Sequence, residues 1–455
     1  MDKTTERLVD FAMNAEFAAI SPETVHECKR RLIDAFASAI AAYDEPLSRV
    51  ARALARRYAG CAEAGIWGSS LQTTMEAAAF ANGVMLRYLD ISDTYLSKSR
   101  GHPSDMLSGI LAVADHLHAD GPSVINAAVL AYDVYCSFAD SVDINSEGWD
   151  QPVYAILGGV VGAGRLMSLS REQMANAVSL ALTPNMALLQ TRHGVLSSWK
   201  GCAGPNASRN AVFAALLAKE GFTGPADVFE GQFGLWNVVR KFEWKLPAGK
   251  SHMIAHTHIK SLPVCYHGQS TVLCALEMRP RVRLQDINEI HIESYGAAVR
   301  MMGGDANRWA PATRETADHS MPYVVSIAFI DGKVTAQSFA PERLADPAVR
   351  DLMRKVKVSE SAELSAQYPE GAPSRLSVHT ASGEVLTTEV RYPKGHARSP
   401  MNDGDVEQKF RDMFQEQGDA RQCEAALQAL RNFERVKDVK SGVIKLFAVR
   451  SGAAD

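Results

Sequence analysis

The sequence lacks an excess of either charge: 48 Lys and Arg against 52 Asp and Glu leave a formal net charge of −4. With no basic surplus to hold a polyanion, nucleic acid is not an expected partner. Uncharged apolar runs of about 18 residues or more are also missing, so no segment is expected to span a membrane. The start, Met1-Asp2-Lys3-Thr4-Thr5-Glu6-Arg7, mixes charges and leads into an amphipathic segment. It lacks the basic start and apolar stretch of a secretory leader, and the expected location is cytoplasmic. Cysteine is sparse and scattered, at positions 28, 61, 136, 202, 265, 274 and 423, with no C-x-x-C pair. A disulfide framework, a zinc ribbon and a clustered iron–sulfur ligand set all lose support.

What is present is a chain of 455 residues, 46% hydrophobic and 22% charged, long enough for two or three domains with their own cores. To about residue 260 the texture is Ala-rich and helical. Ser21-Pro22-Glu23-Thr24 places a capping Ser before a Pro at the first helical position, and apolar residues then recur at helical spacing to Tyr43. Further helices are predicted over residues 46–59, 71–89, 104–119, 122–142, 152–168, 170–182 and 205–221. Their short connections imply a packed multi-helix domain. Beyond about residue 270 the period changes to two over residues 290–295, with a weaker strand pattern at 355–359. Residues 375–380 and 385–392 read as a hairpin around Ala381-Ser382-Gly383-Glu384, where Gly383 supplies a positive φ. Helical patterns at 322–331 and 346–354 lie between these strands, and helical texture returns at 405–415 and 420–433. The predicted fold class is mainly α with an α+β lid. Residues 1–268 form a helical domain, 269–404 a small α+β domain, and 405–455 the C-terminal helices that complete the helical one. The cleft between two such domains is the expected place for a site.

Three polar clusters carry candidate chemistry. The densest runs from Arg87 through Asp90, Asp93 and Thr94 to Tyr95, followed by Gly101-His102-Pro103-Ser104-Asp105. The plainer reading is end chemistry, with Ser104 capping a helix and His102 in a solvated loop. The second is Trp199-Lys200-Gly201-Cys202-Ala203-Gly204-Pro205, where a Lys precedes a small-residue turn and a helix. That setting suits a carboxylate ligand, or proton transfer if burial lowers the ammonium pKa; a solvated loop Lys is the alternative. The third is Asp318-His319-Ser320-Met321-Pro322-Tyr323. Adjacent residues rarely form a triad, so Ser320 is expected to cap a helix while His319 or Tyr323 points into a cleft. Weaker signals include Gly158-Gly159-Val160-Val161-Gly162-Ala163-Gly164, which lacks the dinucleotide order and reads as close helix packing. His252, His256 and His258 have no nearby Cys or carboxylate to complete a metal set.

Asp90-Ile91-Ser92-Asp93-Thr94, Gly101-His102-Pro103-Ser104-Asp105, Lys200-Gly201-Cys202-Ala203 and Ala317-Asp318-His319-Ser320-Met321-Pro322-Tyr323 resemble, in order, signature segments of the MmgE/PrpD family. The likeness extends to Leu262-Pro263-Val264-Cys265-Tyr266-His267 and Tyr392-Pro393-Lys394-Gly395-His396. That family includes 2-methylcitrate dehydratases, cis-aconitate decarboxylases and iminodisuccinate epimerases. The resemblance implies a helical domain built from both chain ends, a small α+β lid, a homodimer, and a cleft holding Asp90, Thr94, His102, Lys200 and Tyr323. Where the decarboxylases carry a His, this chain has Asp150 in Gly148-Trp149-Asp150, which favours the dehydratase branch.

The activity so implied is metal-independent dehydration of a small anionic 2-hydroxy di- or tricarboxylate. Epimerisation of a dicarboxylate imine or amine, decarboxylation and a non-catalytic acid binder are the rivals. Loss of a proton beside a carboxylate generates an enolate-like dianion, which needs cations, hydrogen-bond donors and a base with a pKa near working pH. His102 or Lys200 is the expected base, Asp90 its orienting partner, and Tyr323 or a protonated carboxyl the acid. Thr94 and His319 are expected to contact substrate, with Lys260, Arg192 and His193 holding its remote carboxylates. The scattered cysteines favour side-chain catalysis over an iron–sulfur Lewis acid, so neither cofactor nor metal is expected.

Overall fold

The structure, a computed structural model, describes residues 1–248 and 252–448. Two hydrophobic cores organise it. The first draws buried residues from Leu8 to Ile259 and again from Met401 to Phe447. Its helices include Pro22–Ala41, Met75–Tyr88, Leu107–His116, Gly121–Ser141, Pro152–Leu166, Arg171–Leu182 and Trp199–Lys219, joined by Asp403–Phe414 and Ala420–Arg431 from the far end of the chain. The two ends meet in an aromatic contact, Phe36 against Phe447 with ring centroids 4.2 Å apart. Each such buried Phe contributes roughly 1.5–3 kcal/mol, which favours docking of the C-terminal stretch.

The glycine-rich segment serves helix packing. It lies inside Pro152–Leu166, and a Cβ on Gly158 would come within 2.4 Å of Met106 Sδ and 2.6 Å of the Ala131 carbonyl oxygen. Ser21 caps Pro22–Ala41 by accepting from the Thr24 N–H, as its sequence implies. Two predicted helix starts differ. The segment read as 71–89 begins at Met75, because Gln72–Thr73 pairs as a short strand with Ala64–Gly65. The helix expected from residue 205 begins at Trp199 and carries Pro205 inside it. A Pro normally breaks a helix interior by clashing with the carbonyl four residues back. Here that residue is Gly201 and the turn, Gly201-Cys202-Ala203-Gly204, carries only small side chains, so the ring is accommodated.

The second core spans Val264 to Val378 and also takes in Leu96. Its sheet has four strands in the order Val356–Glu360, Ile287–Ser294, Ser374–Thr380, Val385–Val390. The first pair is parallel and the other two antiparallel. The hairpin closes as the sequence predicts, with Gly383 at φ +86°. The parallel pair is joined through a chain of helices that includes Gly296–Gly303 and Met321–Asp331. No helix among the described residues is long and apolar enough to cross a membrane.

Candidate active site

Between the two cores lies a cleft enclosing about 580 Å³ of non-protein space, its open mouth included. Its lining takes Asp90, Thr94, Arg100 and His102 from the first half of the helical body, and Lys200 and Lys260 from its second half. From the other side come Cys265, His267 and His319.

Asp90 follows the helix Met75–Tyr88 in a left-handed conformation, φ +51°. Asp tolerates this region better than most residues, and the turn directs its carboxylate inward. Its Oδ1 accepts from Arg87 Nη1 at 3.1 Å and from Lys260 Nζ at 3.0 Å, while Lys200 Nζ lies 3.6 Å from Oδ2. Burial opposes the charge on Asp90, but Lys200, Lys260 and Arg87 outweigh it and hold the carboxyl well below its usual range. Burial lowers the Lys260 pKa, and Asp90 offsets that only in part.

The second acidic anchor is Asp318. Both of its oxygens accept from Lys200 Nζ, at 3.0 and 3.2 Å, and its Oδ1 lies 2.5 Å from Nδ1 of His319. Cys265 is fixed beside this pair because its backbone N–H donates to the Asp318 carbonyl at 2.9 Å. Its thiol and the His319 ring are near enough to shift each other's pKa. Burial alone would depress His319, but the negative charge on Cys265 and Asp318 exceeds both burial and the Lys200 charge, and its pKa rises. Correspondingly, burial would raise the Cys265 thiol, yet His319 and Lys260 bring it below its ordinary value.

His102 is in the opposite condition. Its Nδ1 lies 2.8 Å from the backbone carbonyl oxygen of Asp93, an acceptor only, so Nδ1 carries the proton and Nε2 keeps its lone pair. Burial, with Arg87 and Lys260 nearby, holds its pKa well below the usual imidazole value. The same Asp93 accepts from the Ser104 N–H at 2.9 Å and from the Tyr132 hydroxyl at 2.7 Å through its carboxylate. Asp93, not Ser104, therefore secures the turn Pro103–Met106, which corrects the capping role expected of Ser104. Small residues make the approach possible. A Cβ on Gly204 would overlap Asp105, whose carboxylate meets Arg87 Nε at 3.0 Å and Gln151 Nε2 at 2.8 Å.

The structure brings Asp90, Thr94, His102, Lys200, Lys260, Arg192 and His319 to one cleft. Lys200 stands in the first turn of Trp199–Lys219, not in the loop read from sequence. Tyr323 is separated from the others: it is fully buried in the second core and its hydroxyl donates to the Ser338 carbonyl at 2.6 Å. The expectation of Tyr323 as proton donor is corrected on that ground. Ser320 caps Met321–Asp331, accepting from the Tyr323 N–H at 3.2 Å, which leaves it out of any triad. His193 is exposed and outside the lining. Arg192 lines the cleft with its charge met by Asp150 at 2.9 Å, and it also donates to the Lys200 carbonyl at 2.8 Å.

Sequence reasoning missed Arg100, Cys265 and His267. Cys265 and His267 lie in the Leu262–His267 segment that carried the resemblance, but nothing in its spacing marks them as cleft residues. Arg100, after Ser97-Lys98-Ser99, reads as a solvated loop cation.

Among the described residues, Asp90, Asp318 and His319 present ligand atoms within 4.8 Å of one another, a spacing that suits a metal ion. Lys200 Nζ already sits between those two carboxylates and compensates their charge. An added cation would meet that ammonium, so the donor set fits an ion-pair network better than a metal.

Family models for the MmgE/PrpD N-terminal and C-terminal domains match residues 6–246 and 262–435. The chain is 28% identical over 432 residues to the 2-methylcitrate dehydratase of Escherichia coli (strain K12), covering 87% of this chain and 86% of that protein. It is 30% identical over 357 residues to the 2-methylcitrate dehydratase of Cupriavidus necator, covering 73% of each. A fungal alkylcitrate dehydratase is 28% identical over 382 residues, 75% of this chain and 74% of that one. Two family models that together span most of the chain, on a cleft built from the motif residues, place it in the MmgE/PrpD family.

Proposed function

We propose that this carbon–oxygen lyase removes water from a small 2-hydroxy di- or tricarboxylate of the alkylcitrate kind, with its own side chains moving the protons. The observation that carries the reading is a pair of cleft imidazoles in opposite settings: His102 with Nδ1 against the Asp93 carbonyl and its pKa lowered, His319 with Nδ1 against Asp318 and its pKa raised. Environments that push two titratable groups apart mark the base and the acid. His102 Nε2 removes the proton beside a carboxylate, and its electron pair forms the alkene as the carbon–oxygen bond breaks. The proton shared by His319 and Cys265 passes to the departing hydroxyl, which leaves as water. Lys200 and Lys260 stabilise the charge that builds on the carboxylate, and Asp90 keeps both ammonium groups in place. Thr94, whose hydroxyl donates to the Gly101 carbonyl at 2.9 Å, retains a lone pair to accept from the substrate. Pairing of Asp150 with Arg192 supports dehydration over decarboxylation, since the position holds a neutralised acid and not a proton donor.

The separate cores support a division near residues 268 and 404, with the sheet-bearing body as a lid over the helical one. A homodimer is supported by the exposed apolar side chains Leu188, Val195, Phe213 and Phe233, the last 85% exposed beside a surface groove.

The test is incubation in D₂O with 2-methylcitrate, cis-aconitate and an aspartate-type acid, followed by NMR. The expected result is a new alkene from the alkylcitrate. Deuterium incorporation without an alkene, or CO₂ release, would replace dehydration with epimerisation or decarboxylation.

A further inference from the structure

Three of the lysines and arginines that line the cleft already have a carboxylate. Lys200 meets Asp318, Lys260 meets Asp90, and Arg192 meets Asp150. The fourth, Arg100, differs. No carboxylate among the described residues forms an ion pair with it. Nη2 lies 3.7 Å from Met301 Sδ, and the Arg100 charge acts on the nearby Tyr368 hydroxyl.

Its placement is built. Arg100 pairs with Leu96 in the short ribbon Tyr95–Leu96/Arg100–Gly101, two residues before His102, and its backbone carbonyl accepts from the Tyr154 hydroxyl. That ribbon stems from the helical body, while Met301 and Tyr368 pack against the second core. The side chain thus crosses the cleft, partly buried, toward His267, which burial and the nearby positive charge of Arg100 keep neutral. A guanidinium in such a setting presents a planar fork of N–H donors that matches a carboxylate in bidentate geometry. A cation held in a cleft without a counter-charge is completed by an anionic ligand.

We propose that Arg100 anchors a carboxylate of the substrate other than the one beside the reacting carbon, so that the ligand carries at least two carboxylates and spans the cleft from Lys200 to Arg100. Lys260 and Arg192, expected from sequence to hold remote carboxylates, each already pair with a carboxylate of the protein, which leaves Arg100 as the better anchor for a remote one. The inference rests on the small-carboxylate reading above, but it is tested by binding alone.

The probe is tricarballylate, a saturated tricarboxylate with no hydroxyl to lose, titrated by calorimetry into the full-length protein. Arg100→Gln is expected to weaken binding at least tenfold, and Arg100→Lys less, because an ammonium keeps the charge without the fork. Lys98→Gln removes the same charge from an exposed neighbour and is expected to change Kd less than twofold. Circular dichroism checks that each variant is folded. The proposal is overturned if the unaltered protein does not bind tricarballylate, if Arg100→Gln binds within threefold of it, or if Lys98→Gln loses as much. Failure to dehydrate any acid, with these binding results intact, would count against the proposed reaction and leave the anchor standing.

Discussion

The backbone carbonyl of Asp93 holds Nδ1 of His102 at 2.8 Å while its carboxylate holds the Ser104 N–H at 2.9 Å, so one residue sets both the tautomer and the position of the imidazole. The consequence is a defined pH profile. His102 must be neutral to accept a proton, and its pKa is depressed, so kcat/KM falls only as pH drops well below about 6.5. The His319–Cys265 pair must hold a proton, and the His319 pKa is raised, so kcat/KM falls again at a pH above that value. His102→Gln is expected to lower kcat/KM by about 10² or more. His319→Gln is expected to lower the plateau and abolish the alkaline limb. An alkaline limb that survives His319→Gln would remove this pair from the role of acid.

How much of this was readable from sequence depends on distance along the chain. Asp90, His102, Lys200 and His319 stand in dense polar clusters, and their likeness to family segments marks them. The hairpin at 374–390 was legible because Gly383 and a two-residue period are local signals. Tyr323 was misassigned because a helix start tells which residues are near, not which way a ring turns; the Ser338 carbonyl, fifteen residues on, decides that. Arg100 was invisible because its significance is a missing counter-charge, a property of the assembled cleft. Lys200 was read into a loop because Pro205 suggests a helix start, whereas the small residues before it allow the helix to begin earlier.

Asp90 offers a separation of backbone from charge. Asn tolerates the left-handed conformation much as Asp does, so Asp90→Asn keeps the turn and removes the counter-ion of Lys260. Breaking a buried pair in this way costs about 3–5 kcal/mol. The pH dependence has a definite sign. The folded-state pKa of Lys260 is already lowered and falls further in the variant, so folding there excludes a proton that the unfolded chain binds. Stability of Asp90→Asn relative to the unaltered protein should therefore recover as pH rises from about 7 toward 10. Urea unfolding at both ends of that range measures it, and a constant deficit would mean that Lys260 is not the group left exposed to burial.

Acid should destabilise the whole fold by the same logic. Burial lowers the pKa of His102, His258 and His267, and holds His396 down at about 4. In the unfolded chain these groups take up protons near pH 6.5, so their contribution is complete above that pH and is lost as pH falls toward the folded values. His319 has the opposite sign, with a raised pKa whose contribution is present below about 6.5 and lost at higher pH. Asp105, pushed by burial up to about 6, also gains stability as pH falls through that range, but among the histidines four depressed groups stand against one raised group, and Tm should fall between pH 7 and pH 5. Histidine ring resonances followed by NMR over that range should show the four as unprotonated in the folded protein. Titration of several of them near 6.5 would contradict the burial argument.

Lys409 tests whether the C-terminal stretch serves the site or only the core. Its ammonium, on Asp403–Phe414, donates to Asp34 Oδ1 at 2.5 Å and to the carbonyls of Ile91 at 2.9 Å and Lys260 at 2.8 Å. One buried cation thus ties the turn that follows Asp90 to the segment that carries Lys260. Lys409→Met leaves Asp34 without its partner and two carbonyls without a donor, and is expected to cost about 3–5 kcal/mol. Adding Asp34→Asn removes the isolated charge and should restore part of that stability. It restores no donor to the two carbonyls, so kcat/KM should remain low in the double variant. Recovery of both stability and turnover would show that Lys409 compensates Asp34 and does nothing for the site. Recovery of stability alone identifies the C-terminal helix as the element that fixes the spacing between Asp90 and Lys260.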